Sequence, residues 1–552
     1  MAKKWMIALV LTLALVSMAA AQDAKTVISN ASKAMGYDQL KSIEYSGPAG
    51  KEGTGGGQAQ GAAAGFPHFT LKNYSRYIDL NTMTGQQSAL RSRPAEPDGQ
   101  LAGGGGLAPQ AEAPNTTVIN ANAAWNAKLD VVLSPPGFLK LASSSPATVS
   151  QRTVNGKKYT VVTFAVDQKA TSGLPFSISG YIDTQNMVAM VETHIEDALI
   201  GDMLVEQDYS GYKDFGGVKF PTKIIQTRGG LAWSDLDVAD VKPNAPAPPP
   251  PAAPAGRGGA GGGGGRGGGA APEARGGAAP AGGRGGQGGG RGAAAPEGRG
   301  GAAPGAPAAE GRGAAPAGGG RGGAPAAAAI SSKKLADGIF LINGGYRSIA
   351  VEMKDHIVLL EAPQNEMTTL NIIAEVKKDI PNKPITLVVN THQHSDHSGG
   401  IRAAAAEGAT ILTHQSNKAL YEKWFSNPRT LSMPDKLTLS GKKAKFEYIG
   451  EKKVLKDDTN RIEIYHIKSA HAEDLLVVYL PKIKALFEAD AFNPPAPNAA
   501  PPTVVNGFEK LLASKIDELK LDVNTIISVH QPGGGDRDVT KADLLKNIGK
   551  GD

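Results

Sequence analysis

The 552-residue chain contains no cysteine. Disulfide bonds are therefore excluded, as is lipidation of a processed N-terminus. Thiolate is also removed from the possible metal ligands, so any metal site must use nitrogen and oxygen donors. Aromatic residues make up only 5% of the chain, and none falls between residues 243 and 329. Long apolar runs are scarce too. The one candidate, Trp5 to Met18, is short for a span of about 20 residues, and no later segment is long and apolar enough to cross a bilayer.

What is present at the N-terminus fits that single run. Lys3 and Lys4 form a positive region, the apolar run follows, and Ala19-Ala20-Ala21 offers an A-x-A cleavage site. This is the three-part pattern of a signal peptide over 1–21. It implies an exported protein, periplasmic or secreted, with no integral membrane segment after cleavage. The formal charge of +6 suggests a nucleic-acid binder until the charges are placed. Two lysines lie in the signal peptide, and residues 251–330 hold eight arginines against three glutamates. The rest of the chain is close to neutral, so no nucleic-acid partner is expected.

Residues 243–330 are almost wholly Gly, Ala, Pro and Arg, as in "GRGGAGGGGGRGGGAAPEARGG". Such a segment cannot bury enough apolar surface to offset its chain entropy, which predicts a disordered linker. Arg-Gly repeats can bind RNA, but base stacking needs aromatic or supported guanidinium platforms that are missing here. The linker divides the mature chain into 22–242 and 331–552. The first part opens with a helix pattern, "AKTVISNASKAMG", and then reads as strands: "YTVVTFAV", "FSISGYIDT", "MVAMVETHI" and "MLVEQDYSGY". A mostly antiparallel β domain with one helix is predicted. Its pattern "LKSIEYSG … DYSGYKDFGGVKFPTKI" faintly resembles the half-barrel modules of lipoprotein-carrier-like periplasmic proteins, and it carries no catalytic motif.

The second part interleaves strands and helices: "GIFLING", "SIAVEM" and "HIVLLEA", an amphipathic helix over "NEMTTLNIIAEVKKDI", then the short buried strand "ITLVV". An α/β domain with helices packed on sheets is predicted. Directly after that strand comes "THQHSDHSGG", Thr391 to Gly400. His392 and His394 alternate, so in an extended segment both imidazoles point to one side and can approach one cation. Asp396 and His397 lie where the chain turns, within reach of a second cation. Three further candidates sit at strand ends: His471 in "SAHAEDLLVVYLP", Asp490 in "KALFEADAF" and His530 in "TIISVHQP". Each catalytic cation needs about three protein donors and an open position.

An H-x-H-x-D-H loop followed in order by His, Asp and His resembles the metallo-β-lactamase superfamily, over about 334–540. The resemblance implies an αββα sandwich with metals in a cleft at one edge of the two sheets. It implies His392, His394 and His471 as ligands of one metal, and Asp396, His397 and His530 as ligands of the other. Asp490 matches the carboxylate that bridges the metals in the glyoxalase II-like branch, which true β-lactamases of the family lack. One departure stands out. Where members commonly have Asp at the end of an early strand, this chain has Glu361, at a position that usually holds the metal loop by hydrogen bonds.

The expected chemistry is hydrolysis of an ester, thioester, lactone or lactam by a hydroxide shared between two divalent ions. Zinc suits the ligand set, and manganese or iron would also be accepted. Asp396 is the expected catalytic residue, orienting the nucleophile and taking up a proton. The alternatives are a phosphodiesterase or nuclease of the same superfamily, or an envelope-ligand-binding protein with an accessory hydrolase domain. A small-molecule substrate is expected, and nothing in the sequence specifies an oligomeric state. The segments "WFSNPRTLSMP" and "NPPAPNAAPPTVV" are candidate walls of the substrate site. The other histidines receive plainer readings. His68, His194 and His356 fit strand or surface positions, His414 a structural role at a strand end, and His466 packing. Arg402 and Lys482 are read as solvated.

Overall fold

The computed structural model describes residues 24–53, 66–93, 110–251, 330–469, 471–500, 502 and 505–550. The expected signal peptide lies outside them, as does the expected linker from 252 to 329.

In the N-terminal part, eleven strands follow one antiparallel order, and a twelfth, Asp240–Pro243, pairs with Ser42–Gly53. The period-two pattern explains how a face is buried. Along Pro175–Ile182, Phe176, Ile178, Gly180 and Ile182 are buried, the even positions of the strand. The domain holds more than the one expected helix. Besides the helix over 24–35, a second runs over Pro135–Ser144. Ser134 caps it, its hydroxyl accepting from the Gly137 amide at 3.1 Å, and Pro135 and Pro136 occupy its first turn. The double proline reads as a turn in the sequence, yet proline is tolerated where a helix has no hydrogen bonds to lose. Gly180 receives this helix, since any side chain there would strike the Phe138 ring.

The C-terminal part is built from two sheets. Seven strands run in chain order from Ser331–Ala336 to Lys445–Ile449, and six from Lys452–Lys456 to Val539–Thr540. Alternation along each strand separates the layers. Val358, Leu360, Leu387 and Val389 face a core shared with Ile464, Val478 and Phe487 of the second sheet. Leu359 and Val388 face the other way, onto Ile372, Val376 and Ile401 of helices Glu366–Asp379 and Ile401–Glu407. The outer face of the second sheet, with Val477 and Leu486, packs on Leu512, Ile516 and Leu544 of helices Gly507–Glu518 and Lys541–Asn547. Three apolar layers between four structural layers make an αββα sandwich.

One apolar cluster runs from the N-terminal sheet to the first sheet of the sandwich, joining Leu199, Ile200 and Met203 to Trp424 and Leu431. Polar contacts fix the register of that junction. The Asp202 carboxylate accepts from the Thr430 amide and hydroxyl, both at 2.8 Å, and from the Leu431 amide at 3.0 Å. Asn427 Nδ2 donates to the Ile200 carbonyl at 2.9 Å, and Lys423 to that of Gly229 at 2.6 Å. The segment "WFSNPRTL", expected to wall the substrate site, is thus committed to holding the N-terminal part. Arg402, expected in solvent, is buried and paired with Asp435.

An Asp202→Ala substitution should leave the Leu431 amide, at a buried residue, without its acceptor. Each such orphaned donor costs about 1–3 kcal/mol, so the urea midpoint should fall. An unchanged midpoint would show that the junction carries no stability.

Candidate metal centre

The strand Ile385–Val389 is buried and pairs in parallel with Ile357–Leu360 and Thr410–His414. Its C-terminal end therefore opens beside two other strand ends, where an α/β sheet leaves a crevice. The loop that follows is held from within. Asn390 Nδ2 donates to the His392 carbonyl at 2.9 Å, and Ser398 Oγ to those of Gln393 and His394 at 2.8 and 2.9 Å. The helix turn Ser395–Ser398 begins at His394, and Gly400 then passes so close to Thr369 and the Ala362 carbonyl that a side chain would not fit.

All seven residues singled out in the sequence converge. His392, His394, His471 and Asp490 form one group, and Asp396, His397, Asp490 and His530 a second; the ligand atoms in each lie within 4.8 Å of one another. Asp490 belongs to both. Its Oδ2 is 3.4 Å from His392 Nε2, 3.0 Å from His471 Nε2 and 3.1 Å from His397 Nε2, and its Oδ1 is 2.8 Å from His530 Nε2. Within the groups, His392 and His471 face each other Nε2 to Nε2 at 3.3 Å, as do His397 and His530. Two imidazole nitrogens can share at most one proton at that distance, and paired lone pairs repel. A cation relieves that conflict, so this all-nitrogen-and-oxygen donor set fits divalent metal.

The two groups differ in exposure. His392, His394, His471 and Asp490 are at most 3% exposed, whereas the side chains of Asp396 and His530 are 20% and 22% exposed. Burial, with the charges of His397 and His471, depresses His392 to about 3, and burial with neighbouring imidazoles holds His394 well below its usual value. Both are neutral at pH 7. For His397 burial acts in the same direction, but Asp490 and Asp396 outweigh it and hold it protonated. The two carboxylates, despite burial, are kept ionised chiefly by His397.

Several residues support the site, and apart from Glu361 none carries a sequence signal of that role. Glu361 is fully buried, with a backbone φ of 75°, and accepts from Asn390 Nδ2 at 3.4 Å. Burial pushes its carboxyl up to about 7. The longer side chain still reaches the metal loop, the position's expected task. Glu488 accepts from the Ala491 and Phe492 amides at 3.0 and 3.1 Å and so shapes the turn that carries Asp490, itself at φ 62°. Asp474, buried, accepts from Asn417 Nδ2. Tyr346, at the tip between strands Ile339–Asn343 and Arg347–Glu352, donates to Asp396 Oδ2 at 3.1 Å and lies with its ring 4.7 Å from that of His530. A single tyrosine in "GGYRS" follows no ligand spacing, and only the fold brings it here.

Residues 361–530 match the family model described as the metallo-beta-lactamase superfamily. Those residues belong to the metallo-beta-lactamase superfamily. Similar solved structures include the metallo-beta-lactamase from Pontibacter korlensis, at 15% identity over 40% of this chain and 98% of that one, with a TM-score of 0.31. A second is FIM-1 from Pseudomonas aeruginosa in its mono-zinc form, at 16% identity over 41% and 96%, TM-score 0.30. A third is the enzyme from Hirschia baltica, at 19% identity over 40% and 95%, TM-score 0.29. The metallo-beta-lactamase domain thus occupies the C-terminal part, and no helix among the described residues is long and apolar enough to cross a membrane.

Metal ligation needs a free lone pair on His397, which is protonated in the metal-free state. Metal uptake at pH 7 should therefore release about one proton per chain from this residue. Titration calorimetry in buffers of different ionisation enthalpy measures it, and heats independent of buffer would contradict the protonated His397.

Proposed function

We propose that this chain is an exported, binuclear metal-dependent hydrolase acting on an ester, thioester, lactone or lactam. The observation that carries the proposal is Asp490, whose carboxylate meets four histidine nitrogens drawn from both ligand groups at 2.8–3.4 Å. One carboxylate shared by two donor sets is the arrangement that holds two divalent ions side by side. His392, His394 and His471 would hold one ion and Asp396, His397 and His530 the other, with zinc suited to the donors and manganese or iron also accepted. Bound there, two divalent ions would supply a water of lowered pKa and stabilise negative charge on a reacting oxygen.

The remaining work falls to the chain itself. Asp396 sits on the exposed side of the cluster, where it can orient a water against a substrate carbonyl and accept its proton. Tyr346 holds it there through the 3.1 Å hydrogen bond to Oδ2. The buried wall formed by His392, His394 and His471 keeps bulk water from the opposite side. The N-terminal half offers cavities of both characters: one of about 230 Å³ lined by Arg76, Arg228, Glu52 and Asp130 beside Tyr74 and Trp233, and one of about 320 Å³ that includes Ile28, Leu40, Leu80 and Leu139. Export rests on the Lys3–Ala21 pattern, and the N-terminal sequence of the protein purified from the cell envelope would test it.

A panel of a chromogenic β-lactam, a lactone, a thioester and a phosphodiester, given to metal-loaded protein, tests the reaction class. Hydrolysis of one of the first three, lost in Asp396→Asn, is expected. Cleavage confined to the phosphodiester would favour the nuclease branch, and a wild-type rate in Asp396→Asn would sink the mechanism. A hydrogen bond to a charged group contributes about 1.5–3 kcal/mol. Tyr346→Phe should accordingly lower kcat by roughly ten- to a hundredfold, with KM little changed; an unaltered kcat would remove Tyr346 from the mechanism.

A further inference from the structure

Outside the catalytic cluster, two imidazoles and a carboxylate meet where the two sheets of the sandwich join. His414 ends strand Thr410–His414 of the first sheet, and His466 ends strand Arg461–His466 of the second. Glu451 lies in the turn between Lys445–Ile449 and Lys452–Lys456, where the chain passes from one sheet to the other. The His466 amide donates to the Glu451 carbonyl at 3.0 Å, so the turn is tied to the second strand end. The two rings stack, with centroids 3.7 Å apart and planes within 7°. One ligand atom from each residue falls within 4.8 Å of the other two.

Hydrogen bonds on the far side of each ring leave a nitrogen without ordinary employment. His466 Nε2 lies 2.8 Å from the Glu473 carbonyl, which can only accept, so the proton sits on Nε2. In the neutral ring Nδ1 is then a lone pair, yet it faces a Glu451 carboxylate oxygen at 3.2 Å. Two acceptors in contact call for a positive charge between them. His414 is 6% exposed, and its Nε2 has no hydrogen-bond partner. Its Nδ1 accepts from the Ser416 amide at 3.3 Å and meets the Ser416 hydroxyl at 2.8 Å, so in the metal-free state the ring proton sits on the unpartnered Nε2. Ligation through Nε2 moves that proton to Nδ1, where the Ser416 hydroxyl oxygen accepts it. An imidazole whose second nitrogen donates to oxygen is the usual state of a histidine that binds metal. Burial and the neighbouring His466 also depress His414 to about 4, which keeps it neutral and able to ligate.

We propose that His414, Glu451 and His466 form a third cation site, structural in role, for zinc or a similar late divalent ion. Two imidazoles, one carboxylate and a water complete a four-coordinate shell. Tetrahedral zinc places its donor atoms roughly 3.3 Å apart, so binding must open the ring stack into a wedge. The Glu451 side chain, 83% exposed, is free to close in. A cation here would clasp the two sheets at their seam. Through the Glu473 carbonyl it would also brace the segment that carries His471, two residues earlier.

Zinc equilibrium dialysis followed by elemental analysis tests this on the full chain. Wild-type protein should bind about one equivalent more than the Glu451→Gln/His466→Ala double variant. An Asp490→Asn variant, impaired at the catalytic cluster, should keep that equivalent and still show a zinc-dependent rise in Tm that the double variant lacks. Should the double variant fail to fold, Glu451→Gln alone, at an exposed side chain, carries the comparison: zinc affinity at this site should fall at least tenfold. Equal zinc binding by wild type and the variant that folds would overturn the proposal. Loss of catalytic-cluster metal in wild type, with this equivalent intact, would instead count against the binuclear centre alone.

Discussion

Five imidazoles crowded around the Asp490 carboxylate are the interaction on which the rest of the structure depends. Nitrogen faces nitrogen at 3.3 Å in two places, and one carboxylate serves both groups. Such a cluster has no reason to assemble by itself: its members lose hydration, and lone pairs oppose one another wherever two facing rings are both neutral. It can be held only by a frame whose own stability is independent of it. Three apolar layers between the sheets and helices supply that frame.

The frame reaches the ligands through carboxyl groups that do not touch metal. Glu361, Asp474 and Glu488 are fully buried, and burial pushes each up, to about 7, 7 and 8. A group so poised is an oriented hydrogen-bond partner that adds little fixed charge beneath a centre already carrying ionised Asp396 and Asp490. Glu361, Gln364 and Asp490 all take the left-handed backbone region although none is glycine. Strain of about 1 kcal/mol or more at each is tolerated where surrounding contacts over-determine the chain. The sharp turns they make bring three strand ends to one crevice.

This division explains what the sequence revealed and what it did not. The clustered histidines and carboxylates were legible as candidates because histidine is rare, with ten in the chain, and because each candidate stood at a strand–loop junction. The layers were legible from period-two and helical alternation. The Glu361 task was visible only through resemblance, since a lone acidic residue after "HIVLL" does not announce burial. Tyr346, Asp474 and Glu488 act through contacts between segments far apart in sequence, where no spacing rule applies. His414 and His466 illustrate the same limit: each looks structural on its own strand, and only the meeting of two sheets stacks them. Arg402 looked solvated, and the segment from Trp424 to Leu431 looked like a wall of the substrate site, because their partners, Asp435 and Asp202, lie in other parts of the chain.

The unequal burial of the two ligand groups sets a direction for the chemistry. The inner group is sealed, with His392 and His394 neutral, whereas Asp396 and His530 reach solvent with Tyr346 above them. Among the described residues, the cluster is therefore open on the side of Asp396, the carboxylate outside the shared position, whose orientation is set by the Tyr346 phenol. The segment carrying Thr430 and Leu431 is pinned by Asp202. The edge of the cluster is formed by the Tyr346 turn and the chain after Asp490. The latter is fastened through Pro494 and Pro495, whose carbonyls accept from the Gly533 amide at 2.8 Å and from Arg537 at 2.7 Å. These ties give the cleft a fixed edge on the side where Asp396 and His530 are exposed, so the described walls around the cluster keep their shape without help from the N-terminal part.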